Sequence, residues 1–190
     1  MAVYFPIFTD LRGKKVIIVG SSQIGGDKAK KLMSFGASVT FWDGPVTDPV
    51  QLIRKAPDAV VVVDVTLVDT TRLYEECTAA RIPINTVDVP EACSFIFPSM
   101  TQKGALTVAI STGGACPAAG MWVKKTVEEI LPAKTDDIIE WLSGIRESLK
   151  ENVPSETRKL IIRELTAAAF DAKCPLEDTQ TERIINRFYP

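Results

Sequence analysis

Apolar residues follow two alternating patterns over the first two thirds of the chain. Short apolar runs predict β-strands, and the segments between them have the spacing of amphipathic helices. Strands are predicted at 15–19, 38–42, 59–63, 84–87 and 106–110, with a weaker candidate at 95–97. Helices are predicted at 23–35 and 69–80. This alternation is typical of an α/β fold in which a Rossmann-like parallel sheet has helices on both faces.

The pattern changes after Pro117, where only helical spacing remains. Helices are predicted at 118–131, through Ile138, Leu142, Ile145 and Leu149, from Pro154 onward, and at 176–188. We therefore expect two domains. Residues 1–112 would form a Rossmann-like dinucleotide-binding domain, and residues 113–190 a helical domain.

Composition excludes several classes of protein. A net charge of -2 over 190 residues gives no reason to expect nucleic acid or a membrane surface as partner. No apolar run approaches the length of a membrane span, and the N-terminus has no basic segment of the kind that begins a signal peptide. The four cysteines form no CxxC pair, which predicts a reducing cytoplasm and no metal site.

The chain contains no histidine. This excludes Ser-His and Cys-His nucleophile pairs and every imidazole metal ligand. Any proton transfer must therefore use Asp, Glu, Lys, Tyr, Cys or water.

A glycine turn joins the first predicted strand to the first predicted helix. Gly20 and Gly25 occupy the outer positions of a GxGxxG dinucleotide fingerprint, and Ser22 stands at the middle position. Asp43 ends the second strand, where an acid can bind a ribose hydroxyl. The predicted cofactor contacts are Gly20, Ser21, Ser22, Gln23, Ile24, Asp43 and Gly44. An ordinary βα turn, and a generic Asp-Gly-Pro turn at 43–45, are the alternative interpretations.

Residues 82–117 hold the candidate chemistry. A short apolar run ends near Asp88, and a second run ends in the turn from Ser111 to Gly114, with Pro117 at the start of the next helix. Ligands of open α/β sheets bind at the carboxyl ends of the strands, so we expect both ends to face one crevice. Asp88 is then the first candidate for a proton-transferring carboxylate. Asp88 as a turn cap, and Gly113–Gly114 as a flexible connection, are the alternatives.

Together these segments resemble the precorrin-2 dehydrogenase family, also called the siroheme synthase N-terminal family, which includes bifunctional dehydrogenase–ferrochelatases. The resemblance lies in the order and spacing of segments 4–8, 11–16, 20–29, 87–88, 95–98 and 111–117. It implies NAD-dependent oxidation of precorrin-2 to sirohydrochlorin, with Asp88 accepting a proton while NAD⁺ takes hydride. Metal insertion is implied for the bifunctional members.

The resemblance also implies a homodimer, with residues 113–190 supplying a dimerisation segment and the helical C-terminal domain. A monomer whose helical tail packs on itself is the alternative. The tetrapyrrole substrate carries many carboxylates, so lysines are expected at the entrance, with Lys103, Lys124 and Lys125 as candidates. The predicted substrate contacts are Asn85, Ser111, Gly113, Gly114, Cys116 and Lys124.

Two features leave a different function open. The family usually has three glycines where this chain has Gly20-Ser21-Ser22, and the connection at 43–58 is short. The alternative is a paralogue that does not use NAD and acts as a tetrapyrrole-binding carrier or only as a chelatase. Two further expectations are structural. Lys28, Lys30 and Lys31 would form a solvated helix face, and the aromatic residues at 4, 5 and 8 would pack under the sheet.

Overall fold

The computed structural model describes residues 4–190. These residues form two compact units that divide between Phe97 and Pro98, and each unit is described by itself. The division lies earlier than the expected boundary at 112 because the strand at 106–110 belongs to the second unit, where it pairs with a neighbouring strand.

The first unit is built on a parallel sheet. Its strands are β1 (Lys15–Val19), β2 (Ser38–Trp42), β3 (Ala59–Val62) and β4 (Ile84–Thr86). Their order is β2-β1-β3-β4, and all three pairings are parallel. From β1 the chain passes to β2 on one side, and β3 and β4 then follow on the other side of β1. The direction of strand order therefore reverses between β1 and β3. Ligands of open α/β sheets bind outside the carboxyl ends of the strands at such a switch point.

Side chains alternate between the two faces of this sheet. On one face Val16, Ile18 and Val61 pack against Ala29 and Leu32 of helix α1 (Gln23–Ser34). On the other face Ile17, Val19, Val60, Val62 and Ile84 pack against Leu52 of α2 (Val50–Ile53) and against Leu73 and Cys77 of α3 (Thr70–Ala79). The predicted Rossmann-like sheet with helices on both faces is therefore confirmed.

Two strand predictions need correction. Residues 95–97 form no strand. Phe95 and Phe97 instead pack as partly buried side chains on the α1 face of the sheet. The strand at 106–110 exists as β6 (Leu106–Ile110), but it pairs antiparallel with β5 (Ser99–Lys103) in a separate hairpin. Only the short turn at 104–105 joins these two strands, which is too short for the crossover that a parallel pair requires.

The second unit adds four helices to this hairpin: α4 (Pro117–Ile130), α5 (Thr135–Ser148), α6 (Ser155–Ala172) and α7 (Asp178–Phe188). Val153, Ile161, Leu165 and Ile184 form the buried centre of its helical part. At the hairpin turn, a Cβ on Gly104 would lie 2.6 Å from the Cβ of Asp136. The turn therefore packs closely on α5 and needs a residue without a side chain.

Of the N-terminal aromatic residues, Tyr4 is half-buried and the two phenylalanines do not pack as expected. Phe5 and Phe8 are exposed, and residues 4–10 form no helix or strand. The connection at 43–58 is compact, because it contains only the one-turn helix α2, whose Leu52 is fully buried. In the described part of the chain, no helix is long and apolar enough to cross a membrane.

Candidate active site

The predicted nucleotide turn begins directly after β1. Gly20 has φ 99°, a left-handed conformation that side chains disfavour. Its N–H donates to the carbonyl of Trp42 at 2.9 Å, and a Cβ placed on it would lie 2.7 Å from the Cβ of Asp64. Gly20 therefore sits at the switch point, between the ends of β2 and β3, in a position that only glycine fits.

Ser22 takes the place of the fingerprint's middle glycine without strain. Its φ of -68° and ψ of 167° are accessible to any residue, and it serves as the N-cap of α1. Its Oγ accepts a hydrogen bond from the N–H of Gly25 at 3.3 Å. The amides of Gln23 and Ile24 belong to the first turn, whose N–H groups have no acceptor within the helix. The positive end of α1 therefore remains suited to an anion such as a pyrophosphate.

The acid predicted to bind ribose lies beside this turn. Asp43 is exposed and directly follows Trp42, whose carbonyl holds Gly20. Gly44 comes next, and a Cβ placed on it would meet open space. The structure thus gathers the predicted cofactor residues at the ends of the adjacent strands β1 and β2.

Asp88 lies at the same edge of the sheet, two residues after the end of β4. It is exposed, and its φ is 61°. Left-handed backbone is uncommon outside glycine, although Asp and Asn tolerate it better than other residues. Such a conformation persists where surrounding contacts enforce it, and it is concentrated at functional sites.

Cys93 provides those contacts. Its thiol accepts from the N–H of Thr86 at 3.1 Å and lies 3.1 Å from the carbonyl of Thr86 and 3.4 Å from that of Val89, either of which can accept its proton. The N–H of Val89 also donates to the Thr86 carbonyl at 3.4 Å. The turn from Thr86 to Val89, which carries Asp88, is therefore closed by a side chain that comes from outside it.

Asn85, a predicted substrate contact, is a buried structural residue with 7% of its surface exposed. Its Nδ2 donates to the carbonyl of Phe95 at 3.0 Å and approaches the Cys93 thiol at 3.6 Å, while its Oδ1 accepts from Lys28 at 3.4 Å. Because successive side chains of β4 alternate between the faces of the sheet, Asn85 points toward α1. These bonds support a role in holding the site together.

Lys28 is the residue that sequence reasoning missed. It is half-buried rather than solvated, and its ammonium lies 3.7 Å from the centre of the Phe97 ring. Burial, reinforced by Lys31, lowers the pKa of Lys28 to about 8, although Cys93 and Asp88 act in the opposite direction. The sequence held one signal: Lys28 lies three residues after Gly25 and four before Leu32, both buried, so it borders the inner face of the helix.

A small open groove adjoins this lysine. Its volume is about 230 Å³, and Ile24, Asp27, Lys28, Lys31 and Phe97 line it. A water molecule occupies about 30 Å³ in the liquid, so the groove has room for a few waters or a small anionic group but not for a macrocycle.

The remaining predicted substrate contacts lie in the second unit. Gly113 and Gly114 have φ of 62° and 84°, and the N–H of Gly113 donates to Ser111 Oγ at 3.0 Å. Cys116 is exposed at the N-cap of α4, and its N–H donates to Thr112 Oγ1 at 3.2 Å. The glycines therefore form a true left-handed turn, since both take φ values that other residues avoid.

The lysines expected at the entrance have partners within the second unit. Lys103 donates to the carbonyls of Leu131 and Pro132, just beyond the end of α4, at 3.4 and 3.2 Å. Lys124 and Lys125 form ion pairs with Glu128 and Glu129, one turn further along the same helix. Exposed pairs of this kind are weak, so they leave both side chains able to rearrange.

Similarity to known proteins agrees with this geometry. A family model described as NAD(P)-binding matches residues 7–99. Siroheme synthase 2 of Halorhodospira halophila is 31% identical over 148 residues, which cover 68% of this chain and 30% of that protein. The siroheme synthase of Methylobacillus flagellatus is 29% identical over 181 residues, 84% of this chain and 38% of that protein. Over this length the chain resembles the siroheme synthases.

The chain therefore spans less than half the length of these two siroheme synthases. The solved structure of SirC, a precorrin-2 dehydrogenase, matches with a TM-score of 0.66 and 16% sequence identity, covering 97% of this chain and 98% of that one. At this identity the structural likeness establishes the fold. It confirms the Rossmann-like α/β class.

Proposed function

We propose that this protein catalyses the NAD-dependent oxidation of precorrin-2 to sirohydrochlorin. The observation that carries the proposal is that Asp88 and the nucleotide turn at Gly20 lie at the carboxyl edge of one parallel sheet. Only β3 separates the strands β1 and β4 that lead to them. A group that takes a proton is thus close to a site suited to a hydride acceptor. The NAD(P)-binding family match and the siroheme synthase relatives support this assignment.

The residues of the nucleotide turn fit NAD. Gly20 lets the backbone turn tightly, the first-turn amides of α1 can receive the pyrophosphate, and Asp43 is placed for a ribose hydroxyl. Ser22 also fits, because its hydroxyl is turned back to Gly25. When bound, NAD⁺ supplies the hydride acceptor.

The chain's own chemical step is a proton transfer. As a C–H bond of precorrin-2 breaks and its electron pair leaves as hydride, the Asp88 carboxylate takes the accompanying proton and a new double bond forms. A carboxylate suits this task in a chain without histidine, because it is exposed and available as a base.

The substrate contacts remain predictions for Ser111, Gly113, Gly114 and Cys116. Their exposed or half-exposed surfaces and the fixed glycine turn support the assignment. Lys124 remains a proposed substrate contact, because its surface ion pair with Glu128 costs little to break. Asn85 is proposed instead to support the site from within.

The test is an anaerobic assay of the purified protein with precorrin-2 and NAD⁺, following NADH and sirohydrochlorin together. We expect both products in equal amounts, and NAD⁺ binding by calorimetry. A protein that binds sirohydrochlorin but neither binds NAD⁺ or NADP⁺ nor oxidises precorrin-2 would contradict the proposal. That result would favour a carrier or, if Fe²⁺ or Co²⁺ were inserted into sirohydrochlorin, a chelatase.

We also propose that the protein is a homodimer joined through α4. Trp122 is 69% exposed on this helix, and Met121 and Ile130 are exposed with it. Large exposed apolar groups on one helix are typical of protein interfaces. Light scattering after size exclusion should give a dimer for the wild type and for Leu160→Ser, which changes an exposed apolar residue on α6, but a monomer for Trp122→Ser.

A cytoplasmic location is part of the same proposal. All four cysteines are free thiols, including the exposed Cys116. Free thiols persist in reducing compartments. Fractionation of cells that produce the protein should place it in the cytoplasmic fraction, and recovery with membranes would count against this location.

A further inference from the structure

Lys28 occupies an environment that a solvated lysine does not have. Its ammonium is half-buried against the face of Phe97 and donates to the buried Asn85 amide oxygen. Two titratable groups on its own helix line the same groove, Asp27 and Lys31. From the segment that follows β4, Asp88 and Cys93 act on it electrostatically.

Contacts continue from this lysine to the turn that carries Asp88. Lys28 bonds to Asn85, and the Asn85 amide approaches the Cys93 thiol. Cys93 in turn bonds to the backbone at Thr86 and lies against the carbonyl of Val89, on either side of Asp88. Helix α1, which begins at the nucleotide turn, is thereby connected to the candidate base through side chains.

We propose that Lys28 is a positioning residue for Asp88: it holds the Asp88 turn through Asn85 and Cys93. The inference rests on the proposed function, because it assigns Lys28 a part in the same proton transfer. Lys28 acts through Asp88 and takes no proton from the substrate.

The physical consequence is a dependence on pH. The Lys28 ammonium donates to the Asn85 amide oxygen, and a charged donor forms a stronger hydrogen bond than a neutral one. Because the pKa of Lys28 is about 8, this charge is present below that pH and is lost as the pH rises through it. Turnover should therefore decline on the alkaline side, near the point at which Lys28 becomes neutral.

The first test measures the coupling without any turnover. The pKa of Lys28 is read by NMR from its side-chain Cε resonance, assigned with Lys28→Arg. Since Asp88 raises the pKa of Lys28, Asp88→Asn should lower it further. Glu91→Gln, which removes an exposed charge near the same turn, should leave it unchanged. An identical Lys28 pKa in the wild type and Asp88→Asn would overturn the proposal.

The second test compares the kinetics of Lys28→Met, Lys28→Arg and Lys30→Met. Met keeps most of the length of the side chain without its ammonium group, Arg keeps the charge, and Lys30 is an exposed lysine on the same helix. Small misplacements at a reacting centre cost up to about a hundredfold, and we expect Lys28→Met to lower kcat roughly tenfold with KM for NAD⁺ unchanged. It should also lose the alkaline decline near pH 8, while Lys28→Arg retains most activity and extends it to higher pH. Lys30→Met should match the wild type in both respects.

Failure of the two proposals can be told apart. A wild type that does not oxidise precorrin-2 contradicts the proposed function, whereas the NMR coupling still decides whether Lys28 and Asp88 interact. An active wild type whose kcat and pH profile are unchanged in Lys28→Met overturns the positioning role alone. Circular dichroism of each variant confirms that it is folded.

Discussion

Two turns at the same edge of the sheet are built in different ways. The nucleotide turn after β1 combines a left-handed glycine, a serine N-cap and the end of a helix with a backbone bond to Trp42 and close packing against Asp64. The Asp88 turn after β4 depends on side chains from elsewhere, because Cys93 closes it and Asn85 and Lys28 hold Cys93 in place. The first turn is held through its own backbone and its capping serine, and the second through side chains from other segments.

This difference matches the two tasks proposed for the site. The nucleotide turn would receive a pyrophosphate through backbone amides, so it tolerates Ser22 in place of glycine. A proton-transferring carboxylate needs an accurate position, and loose placement costs rate. If Asp88 transfers the proton as proposed, the network behind it supplies that accuracy, and it includes a left-handed aspartate and a half-buried lysine.

The largest expected effect is at the nucleotide turn. Gly20→Ala places a Cβ 2.7 Å from Asp64 at φ 99°. Left-handed backbone and overpacking each cost about 1–3 kcal/mol, so the free energy of unfolding should fall by about 2–6 kcal/mol and NAD⁺ binding should be lost. Gly13→Ala is the matched control, since Gly13 has φ 72° and a Cβ placed on it would meet nothing within 4 Å. Urea unfolding of both variants separates the cost of the contact with Asp64 from the cost of backbone strain. Equal losses in the free energy of unfolding would contradict a close contact at Gly20.

The Asp88 turn should respond to the loss of one thiol. Cys93→Val leaves the N–H of Thr86 without its acceptor, which costs about 1–3 kcal/mol when the group is not solvated. Precorrin-2 turnover should fall together with stability. Cys93→Ser keeps an atom that can accept and donate, so it should lose less of both. A serine variant as damaged as the valine variant would show that the hydrogen bonds are not what holds the turn.

A smaller effect is expected at the serine N-cap. Ser22→Ala removes the acceptor for Gly25 and should lower the free energy of unfolding by about 1 kcal/mol. Ser21→Ala changes the exposed neighbour and should stay within about 0.5 kcal/mol of the wild type. Thermal unfolding of both variants measures the difference. Equal melting temperatures would show that the Ser22 hydroxyl does not stabilise the turn.

The smallest effect concerns the stability cost of Lys28. Folding lowers its pKa from 10.5 to about 8, so below pH 8 the folded protein bears the cost of a half-buried charge, and that cost disappears as the pH rises from 8 toward 10.5. After allowance for solvent screening, Lys28→Met should be more stable than the wild type by about 0.5–1 kcal/mol at pH 7. The gain should shrink by pH 9.5 in urea titrations. A stability gain of Lys28→Met that increased with pH would contradict the lowered pKa of Lys28.

The sequence predicts most of the first unit because its information there is local. Apolar alternation locates all four parallel strands, and the Gly20 turn is recognisable from spacing alone. The strand at 106–110 is predicted as part of this sheet and instead forms the hairpin of β5 and β6, since an apolar run shows that a strand exists but not which strand it pairs with. Pairing is decided by tertiary contacts.

The candidate site shows the same limit. Asp88 can be named from its place after an apolar run, but its support cannot, because Lys28 and Asn85 are 57 residues apart in the chain. The prediction of Asn85 as a substrate contact misses that its amide is used inside the protein, which only the folded structure reveals. The prediction of Lys28 as a surface residue follows the usual behaviour of lysines, and burial beside Phe97 overrides it.

The most direct test of the central claim is a single-turnover experiment with Asp88→Asn, in which protein is in excess over precorrin-2 and NAD⁺ is saturating. Asn also tolerates the left-handed backbone, so the turn should persist. We predict wild-type NAD⁺ affinity with NADH formation slowed roughly 10²–10⁴-fold, the usual contribution of a general base, and no slowing in Glu91→Gln. NADH formation at the wild-type rate in Asp88→Asn would show that Asp88 is not the base.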